Sequence, residues 1–246
     1  MKCKLFSKFD FNMTQSDLLL KRKKSYLYLF IFQITAYIIA YVLLEMASQG
    51  KGIFSLGFVT VLHLLSLLSM SLASFNIVYR FMNIRIKVLF ATVLLLNIIF
   101  GNLIFYPYST LSADTARTLY IFTQILFLIS MGTILYIVIN DIFTQRHDLS
   151  YSLLGAVNIY LIITAVFAGI FSIYEASYPG IITGVEILLE NIYLVSHIFS
   201  IYLMVGIDVP GFEGANNIIK QIGLLEALIS NIFIIFIVGR LLTKNT

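Results

Sequence analysis

The chain is 246 residues long, 60% hydrophobic and 11% charged, with a formal net charge of +4. That composition excludes a soluble domain of ordinary type, because several apolar runs approach the roughly 20 residues a helix needs to cross a bilayer. Nothing outside those runs is long enough for a second, soluble domain, so a separate ligand-binding module is not expected.

Residues 1–24 form a basic amino-terminal segment with seven Lys or Arg, four of them in the run Lys21-Arg22-Lys23-Lys24 directly before the first apolar stretch. Such a run is a cytoplasmic anchor. Phe6, Phe9 and Phe11 interleave with Lys4 and Lys8, a pattern suited to an anionic leaflet; a basic tail that only sets topology accounts for it equally. Nucleic acid is not expected as a partner. No apolar core of signal-peptide type precedes Lys24, so the first span itself directs insertion. The single cysteine, Cys3, excludes an internal disulfide.

Helical spans are predicted at 26–44, 53–75, 88–106, 119–140, 152–174 and 218–242. Each suffices for about 30 Å of hydrocarbon at about 1.5 Å per residue. The first four, within 25–147, read as a scaffold, in which Ser66, Ser69, Ser71, Ala73 and Ser74 permit close helix packing. His63 and Asn97 read as hydrogen-bonded packing residues. The fourth span contains no Lys or Arg, which excludes steep voltage gating by that helix, since each charge moved is worth about 2.3 kcal/mol per 100 mV.

The stretch 181–205 is apolar but interrupted by Glu186, Glu190, Asn191, Ser196, His197 and Ser200, and a re-entrant helix with an extracellular lead-in fits it best. Six spans with both termini cytoplasmic put 13 Lys or Arg inside and 3 outside, namely Lys51, Arg117 and Lys220. A seventh crossing would change this to 12 and 4, so charge prefers six spans only slightly. Glu45, Asp114, Glu175, Glu186, Glu190, Asp208 and Glu213 fall on the outer side. A carboxylate-rich mouth that concentrates cations is one account; the other is that topology reserves basic residues for the cytoplasm.

Residues 148–246 carry a longer series. Gly155-Ala156, Tyr160-Leu161 and Phe167-Ala168 lead to Tyr174-Glu175 and Pro179-Gly180. A central segment ends in Met204-Val205-Gly206-Ile207-Asp208-Val209-Pro210, and Leu225-Glu226-Ala227-Leu228-Ile229-Ser230-Asn231 and Val238-Gly239-Arg240-Leu241 follow. This series resembles the two-helix pore module of the bacterial potassium channel family, which in many members follows four preceding helices. The resemblance implies an all-α polytopic membrane protein with six transmembrane helices and a re-entrant pore helix between the fifth and sixth. It further implies a homotetramer in the lipid bilayer of the cell membrane that passes monovalent cations, potassium by family, without a cofactor.

In that family the filter reads Thr-Val-Gly-Tyr-Gly, four copies of which turn backbone carbonyls inward to replace the ion's water. The filter-like residues here are Met204, Val205, Gly206, Ile207 and Asp208. Val205-Gly206 match, and Ile207 stands at the tyrosine. Asp208 either replaces the second glycine or is the aspartate that follows it, one residue closer; pairing Gly206 with the second glycine is the other alignment. A tetramer would gather four Asp208 carboxylates near its axis, or hold them behind the filter as the support in Asp-x-Pro. Support between pore helix and inner helix falls to Ser196, His197, Ser200, Glu226 and Ser230. Glu226, about two turns into the last helix, needs a partner that Ser196, His197 or Ser200 could supply. Ser230 takes the place of a family glycine.

Enzymatic activity is not expected, as Gly-x-Ser-x-Gly, His-Glu-x-x-His and phosphate-loop motifs are lacking. No metal-ligand spacing surrounds His197. A secondary transporter would show paired broken helices and an internal repeat, and neither is visible. Two alternatives stay open: a non-conducting regulatory or structural membrane subunit with a channel-like fold, which the altered filter suggests, and a transporter or small-molecule carrier.

Overall fold

A computed structural model describes residues 15–48, 56–105, 111–144, 149–182, 187, 189–206 and 215–243. They form seven helices: α1 (Gln15–Ser48), α2 (Leu56–Phe81), α3 (Ile84–Phe105), α4 (Ala113–Thr144), α5 (Leu149–Ser177), α6 (Leu189–Val205) and α7 (Asn217–Thr243). Among the described residues, α3, α4, α5 and α7 are long and apolar enough to cross a membrane. Pro179 lies in the turn after α5, and none of the seven helices contains a proline, whose missing N–H would break a helical hydrogen bond.

The helices are longer than the apolar runs. The first covers Gln15–Ser48 with Asp17 in its first turn, so residues 15–24 are helical and continuous with the apolar run that follows them. Leu, Lys and Arg are good helix formers, and an acidic residue near a helix start offsets the dipole. The second runs past 75 to Phe81 because Ile77, Val78 and Phe81 are buried and extend its packed side. Polar side chains close the starts: Asn83 Oδ1 accepts the Ile86 N–H (3.1 Å), Ser112 Oγ the Thr115 N–H (3.3 Å) and Asn216 Oδ1 the Ile218 N–H (3.0 Å).

The central helix is α5, which packs on α4, α6, α1 and α7. Of its apolar window 61% is inside the protein, against 22% for α3 and for α7, so α5 is the core helix and those two lie at the periphery. Tyr26, Ile77, Met131, Ile134, Ile159, Ile162 and Phe171 are among the buried side chains of one continuous apolar cluster.

The two ends of the bundle differ. At one end the start of α1 meets the ends of α2 and α4 and the start of α5, with Tyr26 stacked on Phe81 (6.0 Å) and tilted against Tyr151 (5.1 Å). Lys21, Arg22, Lys23, Lys24 and Arg80 make this the basic end. At the opposite end Tyr120, Ala176 and Ile192 cluster with Ile104, Ile187 and Tyr193, joining α3, α4, α5 and α6.

Candidate functional site

Polar residues recur at helical spacing on the three helices of the last third. On α6 they are Ser196 and Ser200, followed by Met204; on α7 Gly223, Glu226 and Ser230; on α5 Tyr160 and Thr164. Spacing of three or four puts each set on one side of its helix. The structure turns these sides toward one another, and Ser196, Ser200, Glu226 and Ser230 are all 0% exposed.

A close approach of α6 and α7 makes this seam. A Cβ at Gly223 would lie 2.9 Å from Leu203 Cδ1, so glycine allows the two helices to meet one turn before Glu226. Ser200 Oγ then touches Glu226 Oε1 and also lies 2.9 Å from the Thr164 carbonyl. A hydroxyl has one proton, so Ser200 donates to one of these oxygens at a time. Thr164 Oγ1 in turn touches the Met204 sulfur and lies 3.2 Å from the Tyr160 carbonyl. The Tyr160 hydroxyl donates to the Met204 carbonyl at 3.1 Å. One buried path of contacts thus runs from α7 through α6 into α5.

Of the three residues expected to reach Glu226, Ser200 does. His197 is buried with its ring 5.2 Å from that of Tyr193, and Ser196 Oγ has no hydrogen-bond partner among the described residues. Glu226 Oε2 and Ser230 Oγ are likewise unpartnered. Tyr160 and Thr164 also belong to the seam; their signal in the sequence is a pair of polar groups four apart in the middle of an apolar span.

The end of α6 is defined by Gly206, whose φ of 75° closes the helix with a bond from its N–H to the Leu203 carbonyl (3.2 Å). Glycine adopts that left-handed conformation without the Cβ penalty. Val205 and Gly206 are exposed, whereas Met204 is buried. Ile207 and Asp208, the remaining filter-like residues, lie outside the described residues.

The levels of these contacts along α5 matter. The first turn of α6, at Ile192, sits with Ala176 near the end of α5. Its last turn, at Met204, sits against Tyr160 and Thr164 in the middle of α5. The start of α7 is again beside the end of α5, where the Asn216 N–H bonds to the Ile181 carbonyl (3.0 Å).

Glu175 corrects one expectation. It was placed among the acidic residues of an outer mouth, but it is 0% exposed. Its Oε1 accepts the Gly180 N–H (2.6 Å) and its Oε2 the Ile182 N–H (3.0 Å), so it braces the turn after α5 in place of presenting charge. Its neighbour Gly180 has φ 82°, another position suited to glycine. Glu186, Asp208 and Glu213 lie outside the described residues, and Asp114 is exposed in the first turn of α4.

A second polar cluster lies at the basic end. Asp141, 0% exposed near the end of α4, accepts the Tyr26 hydroxyl (2.8 Å) and the Tyr151 hydroxyl (2.5 Å) on Oδ2 and Arg22 Nη1 (3.2 Å) on Oδ1. The Arg22 guanidinium also lies 4.8 Å from the Phe81 ring centre. Four helices are tied here through one carboxylate and the cation beside it. Among the described residues no three His, Cys, Asp or Glu side chains converge as a metal site would need.

No protein-family model matches the chain, and neither a curated protein nor a solved structure matches it.

Proposed function

We propose that the chain is a subunit of a passive monovalent-cation channel, with six transmembrane helices, α6 as a re-entrant pore helix, and the segment from Met204 to Asp208 as the selectivity element of a homotetramer. The observation that carries this reading is the course of α6. It descends from the end of α5 to its middle, about 18 Å for the twelve residues from Ile192 to Met204 at helical rise, and α7 starts again beside the end of α5. The eleven residues from Met204 to Ala215 can span up to about 36 Å, ample for the return. Backbone that leaves a helix at membrane depth is tolerated only where protein buries it or where it borders water. Backbone that returned at that depth would be suited to lining a pore.

The chemistry of the α6 terminus agrees. A helix carboxyl end holds about half a negative charge, and here it stops beside the middle of α5 at Gly206 and exposed Val205. That end favours a cation that has lost part of its water. The Glu226–Ser200–Thr164 seam holds it in place from behind. One chain supplies one such loop, so a closed ring of copies is required. The basic end of the bundle faces the cytoplasm by the positive-inside rule, which puts both termini there.

Ile207 at the family's tyrosine and Asp208, at its second glycine or the aspartate after it, favour a second reading, a non-conducting regulatory or structural subunit. Liposomes holding the purified protein, with potassium, sodium and chloride gradients imposed in turn, test both. Potassium or mixed cation flux that Gly206→Ala abolishes is expected. Absence of cation flux under every gradient, and also after removal of residues 1–14 and 244–246, would refute the channel reading in favour of the second.

A further inference from the structure

The basic end carries more positive charge than its clusters use. Arg22 is committed to Asp141 at 3.2 Å, and Lys23 donates to Ser150 Oγ at 2.6 Å. Lys24, Arg80, Arg85 and Lys87 are left without a carboxylate partner among the described residues. Arg80 Nε donates to Asn76 Oδ1 (3.0 Å), and Lys87 Nζ lies 4.2 Å from the Tyr79 ring centre. The contacts of Arg22 with Phe81 and of Asn76 with Ser25 (3.4 Å) hold the start of α1 against the end of α2, which puts these cations at the same end of the bundle. Two carboxylates lie nearby: buried Asp141, already engaged, and Asp17, exposed one turn before Lys21.

We propose that this basic rim, formed by Lys24 of α1 and by Arg80, Arg85 and Lys87 around the α2–α3 turn, docks the headgroups of anionic phospholipids. The apolar surface next to it selects a lipid over a soluble polyanion. Ile84, Val88 and Leu89, at the turn and the start of α3, are 69%, 59% and 64% exposed, so the cations border a surface that hydrocarbon would cover. A phosphate on the headgroup reaches the cations while its acyl chains lie along α3. The Lys87 ammonium lies over the Tyr79 ring, a cation–π contact that fixes one of these charges beside the α2–α3 turn. The inference does not depend on whether the protein conducts, because its test reads lipid binding.

The experiment titrates the purified full-length protein in neutral detergent with phosphatidylglycerol or phosphatidylcholine and counts bound lipids by native mass spectrometry. Phosphatidylglycerol is expected to bind the more tightly, with a preference that falls as salt rises. Arg80→Gln, Arg85→Gln and Lys87→Gln together should lower its affinity by about fivefold per charge removed, about 100-fold in all. The exchange Arg80→Lys, Arg85→Lys and Lys87→Arg keeps the charge and should keep the preference, which separates loss of charge from loss of fold. Arg117→Gln with Lys220→Gln, at the other end of the bundle, should leave it unchanged. Equal binding of the two lipids by the unaltered protein, or an undiminished preference in the triple glutamine variant, would overturn the proposal. Tighter binding of a polyglutamate peptide or single-stranded DNA than of phosphatidylglycerol would overturn it too.

Discussion

Ser200→Ala is the most informative single change in the seam, because it removes the partner of Glu226 and leaves the carboxylate in place. Both oxygens of Glu226 would then be buried without a partner among the described residues, since Oε2 has none at the outset. An interhelical hydrogen bond in a membrane protein couples by about 0.6 kcal/mol on average and about 1.7 at most. Leaving a buried polar group unpaired costs about 1–3 kcal/mol. Ser200→Ala should therefore destabilise by about 2 kcal/mol. Glu226→Met fills a similar volume without polar atoms and leaves Ser200 its bond to the Thr164 carbonyl at 2.9 Å, so it should cost under about 1.5 kcal/mol. The double variant should then resemble Glu226→Met alone, a coupling of about 1–2 kcal/mol. Equilibrium unfolding of all four proteins in mixed micelles, followed by helical circular dichroism, measures it. Additivity within about 0.3 kcal/mol would refute the claim that this contact joins α7 to α6.

Gly206→Ala places a side chain at φ 75° and should cost about 1–2 kcal/mol, visible as a lower unfolding midpoint alongside the flux loss already described. Glu175→Ala strips the acceptor from two N–H groups and should destabilise by about 2–4 kcal/mol, with faster hydrogen exchange at Gly180 and Ile182; unchanged exchange there would contradict the bracing role. Asp141→Ala leaves Arg22, Tyr26 and Tyr151 without their shared acceptor and should cost about 3–5 kcal/mol, against about 1.5–3 for Tyr151→Phe, by the same unfolding assay.

The helices were legible because hydropathy and the placement of Pro107, Pro179 and Pro210 act locally. The ten residues before the first apolar run were less so. Charge marks 15–24 as polar, yet the same residues propagate a helix that has already begun. Within 181–205 the sequence shows polar residues four apart, which marks a packed side but not its partner. That Ser200 and not His197 meets Glu226 depends on the α6–α7 approach at Gly223, a geometry that spacing alone does not specify. Glu175 was legible in retrospect, since the sharp turn at Pro179-Gly180 leaves N–H groups that need an acceptor. Asp141 left a fainter trace, a lone acid at the end of a span where topology favours bases, and its partner Arg22 is 119 residues away.

The three polar clusters share α5. Near its start Tyr151 holds Asp141, in its middle Tyr160 and Thr164 hold the end of α6, and at its end Glu175 holds the turn that precedes α6. Tyr151 and Thr164 are about 20 Å apart along a helix with its hydrogen bonds intact. At that separation two changes normally add to within about 0.3–0.5 kcal/mol. Tyr151→Phe and Ser200→Ala should therefore destabilise additively if α5 is only a common wall. If α5 moves as one rigid lever between two arrangements, each change biases the same equilibrium and the pair departs from additivity by more than 0.5 kcal/mol, about the limit for independent sites. Additive stability is expected here because Tyr151 contacts Asp141 and Tyr26 at the basic end and Ser200 contacts Thr164 and Glu226 in the seam, with no partner in common. A measured coupling would instead identify α5 as the element through which the basic end acts on the end of α6.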